Sequence, residues 1–345
     1  MFTVVVDKEI ILPDFILSNK VLQIHKVSHK EITQKLLFGL NAYALLIRSV
    51  TKVDYQLLEG TSVHFVGTAT SGIDHIDELY CMTNRITVRS AKGSNAIAVC
   101  EYVLLCLELA GKNSGTIGIV GYGEIGSRLA YFTSKMGFDV LVYDPFKRNV
   151  IEETTSFAYL PYEELMQKSE IISFHVPLHT KQFPTLNMLS ESNSSLVQDS
   201  ATIIHTCRGS VIDETVYSEL VEQKNCRLYV DVWENEPAIN PQSVLYTQLA
   251  TPHIAGYTNT AKQNAGAMVA SHLMKHFFDE IVLIVSPNNT ENDEKLNKAN
   301  RHQQLVEVSS QLQAIAKNNP QDIAIEFEKI RSTLELLEEY LVINP

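Results

Sequence analysis

Positive charge is scarce in this 345-residue sequence: 28 lysines and arginines stand against 40 aspartates and glutamates, a formal net charge of −12 at pH 7. Nucleic acid is bound through a basic surface, so the balance argues against that class of partner. The same deficit means that an anionic small molecule needs a local group of cations set against an unfavourable overall field. Long apolar runs are missing as well, none reaching the roughly 18 residues of a bilayer span. The five cysteines (Cys81, Cys100, Cys106, Cys207 and Cys226) are an odd number without a CxxC pair or metal-ligand spacing. No disulfide framework or metal site is expected, and a reduced, cytoplasmic setting is. The first residues, Met1 to Asp7, lack a basic n-region and a small-residue cleavage site, and read as a strand rather than a signal peptide. No internal repeat is visible.

What is present is an alternation of short apolar runs with longer stretches of helical period, the pattern of parallel sheets flanked by helices. Strands are expected at Phe2–Val6, Ala44–Ile47, His64–Gly67, Thr87–Arg89, Thr116–Val120, Asp139–Tyr143, Ile171–Phe174, Thr202–His205 and Arg227–Val232. After Ser286 the composition shifts. Pro287–Lys295 is polar and reads as a linker, followed by two helical patterns. The first aligns Leu305, Val308, Leu312 and Ile315. The second has Asn319 as N-cap, Pro320 at the first helical position and a stripe of Ile323, Phe327, Ile330, Leu334, Leu337 and Leu341. Such stripes predict burial, either against their own chain or against a second subunit.

The most informative local motif is Gly121-Tyr122-Gly123-Glu124-Ile125-Gly126, a GxGxxG between an apolar strand and a helix expected from about Glu124 to Met136. Gly121 suits a tight turn, Gly123 admits a pyrophosphate to the backbone, and Gly126 lets the helix pack closely on the strand. The amides at Glu124 and Ile125 then face the phosphates. The next strand closes on Asp144, an acid about 20 residues on that can bind ribose hydroxyls and repel a 2′-phosphate, which favours NAD over NADP. Roughly a third of the chain precedes the motif. The expected architecture is α/β, two Rossmann-like doubly wound parallel-sheet domains with a cleft between them. Residues 1–92 with 257–285 form a substrate or lid domain and 93–256 an NAD-binding domain. Residues 286–345 form a linker and small helical region able to dimerise.

Three later segments carry chemistry. Arg208, in His205-Thr206-Cys207-Arg208-Gly209, ends a strand with a planar cation suited to a carboxylate. Glu236 lies in Trp233-Glu234-Asn235-Glu236-Pro237, and His253, in Thr251-Pro252-His253, has the natural pKa for proton exchange near neutrality. Taken singly, each also fits an ordinary structural role. In this order behind the glycine motif, they resemble the D-2-hydroxyacid dehydrogenase family, with Arg208 on its arginine, Glu236 on its glutamate and His253 on its acid/base histidine. The resemblance implies NAD-dependent oxidation of a 2-hydroxy acid.

Four stretches, Ile47–Val53, Val66–Asp77, Gly93–Val103 and His253–Thr258, resemble the branch of that family acting on a small, phosphorylated 2-hydroxy acid. The likeness runs over roughly residues 1–280. It implies substrate contacts at Ser49, Thr70 and Tyr257, and cofactor contacts at Asp144, Asp231 and Gly256. Val176 stands where that branch tends to have threonine, leaving a backbone contact to the cofactor. Arg48 and Lys52, cations beside Ser49, are further candidates for holding a phosphate. A homodimer, and a 2-oxo acid to reoxidise NADH, are also implied, although Phe327–Arg331 is the one stretch after Ser286 that resembles the family's dimerisation region. Rival readings are a dehydrogenase of phosphoglycerate, glycerate or hydroxypyruvate, and a non-catalytic NAD-sensing protein.

Overall fold

The computed structural model describes residues 1–278 and 291–339, with the backbone alone over 291–296. The chain divides into two compact units: Met1–Asn95 with Thr258–Asn288, and Ala96–Tyr257 with Asn289–Pro345. The C-terminal helices thus group with the second unit.

The first unit is built on strands β1 (Phe2–Asp7), β2 (Leu22–Val27), β3 (Ala44–Ile47), β4 (Phe65–Thr68) and β5 (Thr87–Ser90). They pair in parallel in the order β2-β1-β3-β4-β5. Side chains alternate across the sheet. Val4 and Val6 join Leu46, Phe65 and the Ala265, Val269 and Leu273 face of the helix Asn259–Phe278. Val5 joins Leu45, Val66, Leu37 and Leu57 on the other side. Covering both faces leaves the strand ends as the accessible edge, and Arg48, Ser49 and Thr70 follow the carboxyl ends of β3 and β4.

The second unit continues with β6 (Thr116–Val120), β7 (Asp139–Tyr143), β8 (Ala158–Tyr159), β9 (Ile171–Phe174), β10 (Thr202–His205), β11 (Arg227–Val230) and β12 (Leu249–Ala250). Their order is β12-β11-β10-β9-β6-β7-β8, all pairs parallel, so strand order reverses between β6 and β9. Ligands of doubly wound sheets bind at such a reversal, beyond the carboxyl ends. The helix Ala96–Leu109 is apolar almost all round and is accordingly buried.

The expected α/β class with parallel sheets and C-terminal helices is what the chain adopts. Strands β2, β8 and β12 escaped the sequence reading. All three are sheet edges. In β2 only Leu22 is fully buried, and β8 and β12 are two residues long, so none produces an apolar run. Asp231 and Val232 lie beyond the end of β11, which puts Asp231 in a loop.

The C-terminal region differs from expectation in three ways. The helix Glu291–Asn318 begins inside the expected linker. Asn319 makes no side-chain cap, and Pro320 opens a 3₁₀ turn before the helix Ile323–Thr333. That helix stops at Thr333, so Leu334 and Leu337 are not on its stripe, and Leu341 lies outside the described residues. Leu305, Val308, Leu312, Ile323, Phe327 and Ile330 join the core of the second sheet, so these stripes are covered by their own chain. Ser309 also donates order to the sheet edge: its hydroxyl accepts the Ala250 N–H at 2.9 Å, a bond that blunts edge strand β12. Among the described residues no helix is long and apolar enough to cross a membrane.

Because Phe327 is fully buried in that shared core, Phe327→Ala is expected to lower the unfolding free energy by about 3–5 kcal/mol. Urea unfolding monitored at Trp233 tests this, and an unchanged midpoint would mean that the C-terminal helices do not stabilise the sheet.

Candidate active site

The turn after β6 requires glycine at two points. Gly121 has φ +100°, and a Cβ there would sit 2.6 Å from the His175 carbonyl oxygen; a Cβ on Gly126 would sit 1.8 Å from the Gly121 carbonyl oxygen. Gly126 therefore brings the helix Glu124–Lys135 onto the turn, and Gly123, its N-cap, faces open space with no atom within 4 Å of a built Cβ. The first-turn amides of Glu124 and Ile125 have no carbonyl within the helix to bind, the usual basis for phosphate binding. Asp144 closes β7 and accepts the Tyr122 N–H at 2.9 Å and the Phe146 N–H at 3.0 Å, fixing the turn with a carboxylate.

Across the strand reversal, Val176 packs within 3.0 Å of the Cβ position of Gly121. Two polar atoms at this crevice, His175 Nδ1 and Thr206 Oγ1, are buried with no hydrogen-bond partner among the described residues. An open glycine cradle, a helix start and unfilled polar atoms fit a dinucleotide with an amide-bearing ring. Burial pushes the His175 imidazole down to about 3, with nearby His205 adding to it. It pushes His205 down to about 4 although its Nε2 contacts the Gly209 carbonyl oxygen at 3.2 Å.

Glu236 and His253 form a pair, with Glu236 Oε2 and His253 Nδ1 2.8 Å apart. The other carboxylate oxygen accepts the Trp233 N–H at 2.9 Å. Burial alone would raise the Glu236 pKa, but the hydrogen bond and charge of His253, the Trp233 amide and the charge of Arg331 outweigh it and hold the carboxyl below its ordinary value. The His253 side chain is 35% exposed, so the ring has one nitrogen on a carboxylate and an edge open to solvent.

His253 has φ +56°, an uncommon conformation for a non-glycine residue. Asp231 holds it there. The Asp231 carbonyl accepts the His253 N–H at 2.7 Å, and its buried carboxylate accepts Thr251 Oγ1 and Ile254 N at 2.7 Å and Ala255 N at 2.9 Å. Burial leaves its pKa raised despite these bonds. Asp231, expected as a cofactor contact, therefore also clamps the histidine loop. Behind it, Tyr102 OH meets Thr251 Oγ1 at 2.7 Å and Trp233 Nε1 donates to the Thr251 carbonyl at 2.8 Å. Gly256 sits in the turn closed by Tyr257 N–H on the Ile254 carbonyl.

Arg208 leaves β10 through Thr206 and Cys207 and donates Nη1 to the Cys207 carbonyl at 2.7 Å. A Cβ on Gly209 would lie 2.0 Å from Trp233 backbone atoms, so the arginine turn rests directly on the segment that carries Glu236. Burial pushes the Cys207 thiol up to about 11, which keeps it a neutral thiol at physiological pH.

In the first unit the candidates stand differently. Arg48 pairs through Nε and Nη2 with fully buried Asp7 at 3.0 and 3.4 Å, and exposed Lys52 pairs with Asp54 at 2.9 Å. Both charges expected to receive a phosphate are thus opposed by carboxylates, a feature that spacing around Ser49 could not reveal. Ser49 is exposed, and the Thr70 hydroxyl bonds the Gly72 carbonyl at 2.8 Å and Thr68 Oγ1 at 2.7 Å.

Sequence reasoning missed the supports: Thr251, Tyr102, Gly209 and Arg301. Arg301 is buried, ion-paired with Glu101, and donates Nη2 to the carbonyls of Ala98 and Ala255 at 2.9 Å, tying the C-terminal helix to the histidine loop. The one available signal was an acid, Asp231, amid apolar residues just after a strand.

Residues 101–255 match the family "D-isomer specific 2-hydroxyacid dehydrogenase, NAD binding domain". An erythronate-4-phosphate dehydrogenase of Marinobacter nauticus is 39% identical over 245 residues, 68% of this chain and 63% of that protein. One from Yersinia pestis is 36% identical over 244 residues, 68% of this chain and 64% of that protein. The matched region thus spans a little less than two thirds of the length of these curated relatives. In fold the chain is similar to an NAD⁺-bound 3-phosphoglycerate dehydrogenase of Entamoeba histolytica (TM-score 0.66, 23% identity, 84% of this chain and 99% of that one). It is also similar to an NAD-bound formate dehydrogenase of Staphylococcus aureus (TM-score 0.63, 19% identity, 83% of this chain and 100% of that one).

Two outcomes follow for the scaffold. His175 and His205 are neutral when folded but regain ordinary basicity, near 6.5, on unfolding. The stability they protect is full above about pH 6.5 and is lost as pH falls towards 4 and then 3. Urea midpoints between pH 7.5 and 4.5 should fall, and less steeply in His205→Gln; equal slopes would refute the assignment. Gly209→Ala should destabilise by about 1–3 kcal/mol, because a backbone contact cannot yield as a side chain does; thermal unfolding measures it.

Proposed function

We propose that this protein oxidises 4-phospho-D-erythronate to 2-oxo-3-hydroxy-4-phosphobutanoate, a step of pyridoxal 5′-phosphate synthesis; residues 101–255 match the D-isomer specific 2-hydroxyacid dehydrogenase NAD-binding family, which supports this reading. The observation that carries the reading is the 2.8 Å Glu236–His253 pair in a segment on which the Arg208 turn is seated. The names of the relatives support the phosphorylated substrate.

In this reading Arg208 binds the substrate carboxylate with its planar fork and fixes C2. His253 takes the proton of the 2-hydroxyl on Nε2, the nitrogen not engaged with Glu236. Glu236, held ionised, keeps the ring oriented and stabilises the imidazolium that forms. Asp231 holds the loop in its strained conformation through the cycle. NAD, when bound, supplies the hydride acceptor, and Gly121, Gly123, Glu124, Ile125, Gly126 and Asp144 would hold it together with Val176 and Gly256. Ser49, Thr70 and Tyr257 are the further proposed substrate contacts.

The proposal extends to a cytoplasmic homodimer in which a 2-oxo acid reoxidises NADH. All five cysteines are free and buried, in keeping with a reducing compartment. Since the C-terminal stripes are buried in their own unit, a dimer would use other surface, on which Val306 and Ile325 are exposed.

Purified protein supplied with NAD and 2-oxoglutarate should turn over 4-phosphoerythronate in preference to 3-phosphoglycerate and glycerate. His253→Gln should lower kcat by about 10²–10⁴-fold. Preference for another acid would discard the substrate, and an unimpaired His253→Gln variant would discard the mechanism.

A further inference from the structure

The helix Ile323–Thr333 carries Arg331 in its last turn. Its neighbours Phe327 and Ile330 are buried in the core of the second unit, which anchors the backbone at that point. From this anchor the Arg331 guanidinium lies over the ring of Tyr257, 5.7 Å from its centroid. Tyr257 closes the turn that follows His253. A cation over an aromatic face is attracted by the ring quadrupole, and the contact restricts where the guanidinium can point.

The hydrogen-bonding capacity of this arginine is poorly used. Nε is buried and has no partner among the described residues. The ion pair of Nη1 with Glu328 is long, 3.9 Å, and Glu328 is itself 54% exposed. The side chain nonetheless keeps 27% of its surface accessible. A guanidinium has five N–H donors and no acceptor, so a buried, unfilled donor beside accessible ones marks a position suited to an incoming anion. Its charge also reaches Glu236, whose carboxyl it helps keep low after the larger effects of burial and His253. Arg331 is therefore part of the electrostatic surroundings of the acid–base pair, although it comes from the C-terminal helices.

The charge inventory points the same way. In a chain of net charge −12, Arg48 is taken up by buried Asp7 and Lys52 by Asp54. Arg208 has the substrate carboxylate to hold. A substrate with a second anionic end needs another cation, and a planar fork suits phosphate as well as it suits carboxylate. We propose that Arg331 is a specificity-determining residue that binds the phosphate of the substrate, so that the C-terminal helix supplies part of the substrate site. This rests on the function proposed above, and extends it to a residue that neither the glycine motif nor the arginine–glutamate–histidine set includes.

The test compares 4-phosphoerythronate with unphosphorylated erythronate in the wild type, Arg331→Met, Arg331→Lys and Glu328→Gln. Arg331→Met should raise KM for the phosphorylated acid and reduce the ratio of the two kcat/KM values by roughly 10- to 100-fold, the range of a hydrogen-bonded charge pair. Its melting temperature should stay near that of the wild type. Arg331→Lys should recover part of the preference through its charge, and Glu328→Gln should leave it unchanged. Equal losses on both substrates, or an intact ratio in Arg331→Met, would overturn the proposal. If the wild type oxidises neither acid, the proposed function fails, and calorimetric titration with inorganic phosphate decides separately. Binding lost in Arg331→Met would keep the anion site; equal binding by both proteins, or by neither, would remove it.

Discussion

The buried carboxylate of Asp231 receives three hydrogen bonds from the loop that carries His253, while its own carbonyl takes the histidine amide. Those bonds support a non-glycine residue at φ +56°. With them, the imidazole is delivered to Glu236 at 2.8 Å in a fixed orientation. The arrangement is a hierarchy. The parallel sheet fixes the end of β11, Asp231 lies just past that end, and the loop is built on Asp231. Tyr102 and Trp233 then pin Thr251 from behind, so the clamp itself cannot drift.

A second constraint is close backbone approach. Gly126 against Gly121, Gly121 against His175 and Gly209 against Trp233 are all places where a single added carbon would collide with main-chain atoms. Each lies at the carboxyl edge of the second sheet. Together they draw the glycine turn, the β9 end, the arginine turn and the glutamate segment into one neighbourhood. Glycine here acts through the absence of volume more than through flexibility, except at Gly121, whose positive φ requires it as well.

Different parts of this were legible for different reasons. Central strands announced themselves because they are buried on both faces and are continuously apolar. Strands β2, β8 and β12 did not, since β2 is mostly unburied and the other two are only two residues long, which leaves no run to read. The glycine motif could be read because its spacing encodes a turn and a helix start within a few residues. Arg208, Glu236 and His253 could be read only as an ordered set, since each residue alone fits a structural role. Arg48 and Lys52 show the opposite failure. Sequence proximity to Ser49 suggested free cations, but Asp7 comes from β1, the neighbour of β3, and its carboxylate meets Arg48 through strand pairing, not chain proximity.

By itself, then, the sequence determined the α/β class, the dinucleotide turn and the identity of the acid–base candidates. These follow from periodicity and short-range spacing, which the local backbone enforces. Only the tertiary structure decided which charges remain for a ligand, that Asp231 clamps the histidine loop, and that Arg301 and Arg331 of the C-terminal helices reach that loop and the residue following it. Those outcomes depend on residues tens to hundreds of positions apart being packed into contact. Burial then fixes which carboxylates and guanidiniums must satisfy one another, and no one-dimensional pattern specifies that.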